Sequence, residues 1–177
     1  MNDSSNRDEV IAATQHWLTR ALIGLNLCPF AKSVHVKGQI RYVASEARGV
    51  DDVLLQDSDP EQIDTTLYIT PHAFADFADY NDALFFADCL LNDLGLAGEI
   101  QIASFHPQYQ FEGSEPDDID NYTNRAPFPI FHLICEASID RAVAAFPDAA
   151  DIYERNIETL RRLGHEGFKA WMAKRVS

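Results

Sequence analysis

The residues with the most chemical potential lie between Ser104 and His132, where His106, Tyr109, Glu115, Asp117, Asp118, Asp120, Asn121, Asn124, Arg125 and His132 share one stretch of chain. Two imidazoles and a carboxylate suit Fe(II), Zn(II) or Mn(II) and leave coordination positions open for water or substrate. His106, His132 and Asp118 are the candidate ligands for such a divalent ion. The same groups also suit acid–base catalysis without metal. Like-charge repulsion among Asp117, Asp118 and Asp120 favours the protonated form of one carboxyl, and His106 is then a proton carrier. Arg125 has the planar fork that grips a carboxylate or phosphate through two parallel bonds. On this reading the catalytic set is His106, Asp117, Asp118 and Arg125, and the substrate contacts are Tyr109, Asn121, Asn124 and Arg125.

Each candidate has a structural alternative that the sequence leaves open. His132 fits a core histidine bonded to backbone, and His106 fits a residue that anchors a loop. Arg125 fits a salt bridge to a nearby aspartate, with Asp117 and Asp120 capping a helical turn. A third chemistry, thiol reactivity at Cys28, is disfavoured by position. Cys28 follows a helix C-terminus and precedes Pro29, whereas thiolates are stabilised at helix N-termini or beside cations. Cys89 and Cys135 fall in apolar patterns and read as core. The rival from another class is a protein that binds a small ligand or a basic partner through the aromatic and acidic loop, with no turnover.

Regular elements must hold these groups in place. Ile11, Leu18, Leu22 and Leu25 recur at helical spacing over 7–27, and that helix ends near Asn26 because Pro29 disfavours helix at the residue before it. Strands are expected at 39–45, 65–70, 99–105 and 130–135, a short helix at 50–56, and a strong helix at 79–94 capped by Asp79 or Asn81 and ended by Gly95. The remainder is helical, at 138–145, 150–163 and 165–174, with Gly164 as the break between the last two. The segment 106–129 has four prolines and no periodicity, yet Phe105, Tyr109, Phe111, Tyr122 and Phe128 give it aromatic anchors. An ordered loop of that length is more often functional than incidental.

The resulting fold class is mixed α/β: a mixed sheet of about four strands in a two-layer sandwich, with N- and C-terminal helices packed on it. The helix between the second and third strands suggests a crossover, and the fourth strand is expected antiparallel to the third. The 177 residues suit a single domain. Its 14 Lys and Arg against 28 Asp and Glu give a net charge of −14, which repels phosphate backbones and anionic lipid. No nucleic-acid or membrane partner is therefore expected. From Gly49 to Asn124 there is no Lys or Arg at all. Three scattered cysteines make no disulfide framework. With no secretory signal pattern and no long apolar run, a cytoplasmic location is expected.

Three strings, Leu25-Asn26-Leu27-Cys28-Pro29-Phe30-Ala31, Phe105-His106-Pro107-Gln108-Tyr109-Gln110-Phe111 and Asn121-Tyr122-Thr123-Asn124-Arg125-Ala126-Pro127, resemble the signatures of domain-of-unknown-function family 1415. The likeness runs from about residue 14 to residue 141, with a helical extension over about 142–177. The resemblance implies a family domain and brings no cofactor or catalytic residue with it. The function expected from the residues is a small-molecule enzyme with a polar acid–base site, assisted by a metal in one version, in the 104–132 segment.

Overall fold

The structure, a computed structural model, describes residues 3–46, 48, 65–144 and 151–174. Helix α1 (Asp3–Trp17) runs into a π-helical stretch (Leu18–Ile23). Asn26 then takes a left-handed conformation (φ 56°), which an Asn tolerates at a helix end. Helix α2 (Ala31–Val36) leads to strand β1 (Ile40–Ala44), and β2 (Thr65–Ile69) follows. The expected short helix at 50–56 lies outside the described residues. Helix α3 (Phe77–Asp93) begins earlier than the sequence suggested. Its cap is Asp76, whose carboxylate accepts from the backbone N–H groups of Ala78 (2.8 Å) and Asp79 (3.3 Å). Phe77 and Tyr80 extend its apolar stripe back toward the cap. Strand β3 (Ile100–Phe105), a 3-10 turn (Ile119–Thr123), β4 (Ile130–Cys135), α4 (Glu136–Ala144) and α5 (Ile152–Met172) complete the chain. Gly164 breaks α5 with a φ of 67° that a residue with a Cβ adopts only under strain.

The four strands form one mixed sheet in the order β1-β2-β4-β3. β1 and β2 are parallel, and β4 lies antiparallel between β2 and β3. Strands β2 and β3 are thus joined through α3 across an intervening strand. Registry places Tyr42, Leu67, His132 and Ala103 in one row, so these side chains share a face. That face, with Ile69, Ile130 and Phe105, packs beneath α1, the π-helical stretch and α5 around Trp17, Leu22, Leu160 and Phe168. The opposite face presents Tyr68, Phe131, Ile102 and Leu133 to Tyr80, Ala83 and Leu84 of α3. The terminal helices form one layer on the sheet, as expected, and α3 adds a further layer on the other face. Leu67, Ile69, Ile130 and Leu160 are almost wholly removed from solvent, and each contributes on the order of 2 kcal/mol to the fold. Among the described residues, no helix is long and apolar enough to cross a membrane.

Candidate functional site

The segment after β3 is an ordered loop closed at its base by main-chain bonds. His106 N–H donates to the Asn124 carbonyl (3.2 Å), and Ala126 N–H donates back to the His106 carbonyl (3.4 Å). Asn124 adds a side-chain bond to the Ser104 carbonyl (3.1 Å). Asn121, fully buried, staples the interior: its Oδ1 accepts from Phe111 N–H (3.0 Å) and the Ser114 hydroxyl (2.8 Å), and its Nδ2 donates to the Glu115 carbonyl (2.8 Å). These asparagines hold the loop's shape. Tyr109 packs its ring between Phe77 and Phe111.

His106 is likewise buried and committed. Gln108 N–H donates to its Nδ1 (3.0 Å), which fixes the proton on Nε2, and Nε2–H donates to the Phe74 carbonyl (2.8 Å). Phe74 holds that carbonyl in place from a left-handed backbone (φ 58°). The ring lies against Phe77 and Tyr80. Burial pushes the imidazole pKa down, partly countered by the bond to Phe74, so the neutral form is favoured. His132 sits elsewhere. Its Nε2 pairs with the Thr65 hydroxyl, its Nδ1 is shut off from solvent with no partner among the described residues, and burial pushes its pKa down to about 4.

The ladder register decides whether the two imidazoles can cooperate. His132 lies opposite Ala103 and shares a face with Gln101 and Phe105, whereas Ile100, Ile102 and Ser104 face α3. His106 packs on the α3 side and His132 on the other. This corrects the expectation that His106, His132 and Asp118 converge as metal ligands. Among the described residues, no three His, Cys, Asp or Glu side chains come together in a way that would hold a metal ion.

The aspartates also part company. Asp118 closes a turn by accepting from Glu115 N–H (2.8 Å). Asp120 faces α5 and takes both Nε (3.1 Å) and Nη2 (2.6 Å) of Arg161. Asp117 makes no hydrogen bond or ion pair with another described residue and lines an open cleft of about 510 Å³. Arg125 lines the same cleft, together with Gln108, Gln110, Pro107 and Pro116 from the loop and Asp76, Phe77 and Ala78 from the start of α3. The expected salt bridge from Arg125 to an aspartate does not form among the described residues. Its Nε donates to the Tyr109 carbonyl (3.2 Å), its Nη2 to the Pro116 carbonyl (2.5 Å), and its guanidinium lies 4.8 Å from the centre of the Tyr122 ring. Tyr122 is in turn braced by Phe168 of α5, and Trp17 of α1 donates its indole N–H to the Arg125 carbonyl (2.8 Å).

Of the residues singled out from sequence, the cleft thus brings Asp117 and Arg125 together, with Tyr109 contributing its carbonyl. Gln108, Gln110 and the Asp76–Ala78 corner were missed as site residues. The signal for that corner was present: an Asp followed by two helix-compatible residues and a second Asp reads as a cap, which would have brought the helix start to the loop. Cys28 is half-buried, and burial raises its thiol pKa against the lowering effect of backbone bonds from Ala31 and Phe30.

The family model described as "Protein of unknown function (DUF1415)" matches residues 9–170, and the chain belongs to that family. The match begins within α1 and ends within α5, so Trp17 and Phe168, which brace Arg125 and Tyr122, lie inside it. No curated protein and no solved structure matches the chain.

Proposed function

We propose that this member of the DUF1415 family binds a small anionic molecule in the cleft between the 106–126 loop and the N-terminus of α3, with Arg125 as the group that grips the anion. One observation carries the reading: Arg125 lines an open cleft, and its charge meets only carbonyl oxygens and an aromatic face, with no carboxylate neutralising it among the described residues. In a chain of net charge −14, a cation left unpaired beside so many carboxylates is available for an external anion. A cleft of about 510 Å³ suits a small metabolite.

A second reading, turnover of that ligand, is favoured by the freedom of Asp117. With no structural bond to keep, its carboxylate is the loop's best candidate for a general base. His106 is a poorer one, because both ring nitrogens already hold the loop.

Thermal-shift titration with succinate and inorganic phosphate tests the binding reading. Wild type is expected to be stabilised saturably. Arg125→Lys, which loses the bidentate fork, is expected to weaken binding by about tenfold or more. Asp117→Asn is expected to strengthen it by removing a like charge from the cleft, while abolishing turnover if a substrate is found. Equal shifts in wild type and both variants would refute the assignment.

A further inference from the structure

Helix α3 covers the sheet with Tyr80, Ala83 and Leu84, and turns a second, unusual face outward. Phe85 and Phe86 are 67% and 57% exposed, and their rings meet edge-on at 6.1 Å. Leu94 at the helix end is also exposed. Two adjacent phenylalanines in water are a costly arrangement that marks contact surfaces rather than scattered surface residues. The polar residues of α3 include Asp79, Asp82, Asp88 and Asp93, all exposed, and the helix holds no Lys, Arg or His. Beside its C-terminal half runs a groove of about 320 Å³ against the edge strand β3, floored by Leu91, Ile100 and Ile102 and flanked by the carboxylates of Asp88 and Glu136.

Charge selects the occupant. A second copy of the chain would set one aspartate-bearing helix against another with no cation between them, and an anionic membrane would meet the same repulsion. A neutral apolar partner would desolvate the surrounding carboxylates without compensation. We propose that the outer face of α3 and the adjoining groove dock a basic amphipathic segment of a partner protein. Its apolar side chains cover Phe85 and Phe86, and a Lys or Arg reaches Asp88 and Glu136. Aromatic anchors surrounded by complementary charge are how helix-in-groove contacts obtain both affinity and orientation.

Fluorescence-anisotropy titration of the full chain with a labelled Leu/Lys peptide of helical period tests this, with the same peptide carrying Glu for Lys as control. Saturable binding of the Lys peptide alone, weakening as salt rises, is expected. Both phenylalanines are exposed, so the double variant Phe85→Ala, Phe86→Ala is expected to stay folded by circular dichroism and to bind at least about tenfold more weakly. Asp88→Asn with Glu136→Gln is expected to weaken binding and flatten its salt dependence. The proposal is overturned if the Lys peptide does not bind, if the Glu peptide binds equally well, or if neither variant changes the affinity. Self-association dispersed by the phenylalanine variant would assign the face to a second copy instead.

Discussion

Arg125 owes its position to one distant residue, Trp17, and to three from its own loop. Trp17 holds its carbonyl, Tyr122 offers its ring, and Tyr109 and Pro116 take its N–H groups. None of these partners is anionic, so the guanidinium is oriented without being neutralised, the state in which an anion site is pre-organised. His132 makes a separate residue-scale prediction. Its folded pKa of about 4 lies below the ordinary value of 6.5, so the unfolded chain binds the proton first. Stability contributed by the neutral imidazole is present above about pH 6.5 and lost as pH falls toward 4, by on the order of 3 kcal/mol. Urea unfolding of wild type and His132→Gln across that window checks this. The difference between the two curves is expected to shrink on acidification, and a constant difference would contradict the assignment. His106 titrates in the same direction in both proteins and cancels in the comparison.

At the scale of elements, the loop behaves as a small built unit. Asn121→Ala removes three bonds at once and leaves the Phe111 N–H and the Glu115 carbonyl without their partner. The expected loss is about 2–4 kcal/mol in chemical denaturation, accompanied by loss of anion binding because the cleft wall collapses. An unchanged midpoint would mean that the loop's order comes from its aromatics alone. That the loop is ordered was legible from its prolines and from Tyr109, Phe111 and Tyr122, which pack as such residues do. Alternation likewise placed Ile130, His132 and Ile134 on one face. What alternation cannot supply is register between strands, because a shift of one residue reverses every side chain. With Ala103 opposite His132, the Ile100–Ser104 face turns away, and the two imidazoles part. The role of Asp120 was hidden for a similar reason: Arg161, which claims it, lies 41 residues on in a helix whose docking the sequence does not specify.

For the whole molecule, the alternation of strand and helix patterns announced the mixed α/β class and composition the acidic character, and neither depended on tertiary detail. The net charge of −14 makes self-repulsion a standing cost to the folded state. The thermal midpoint is therefore expected to rise by several degrees between low and physiological ionic strength, measured by scanning calorimetry in sodium chloride. A midpoint that is flat or falls with salt would show that local ion pairs such as Arg161 with Asp120 outweigh the global field. The same field keeps anions away from most of the surface, which makes a cleft with an unpaired guanidinium a selective exception. NMR of the Arg125 Nε–H resonance, identified by its loss in Arg125→Lys, follows that exception directly during titration with succinate or phosphate. Saturable movement of this signal together with the Gln108 and Gln110 amides is the predicted result. Signals that stay fixed, or that drift no more than those of surface arginines such as Arg161, would contradict the account.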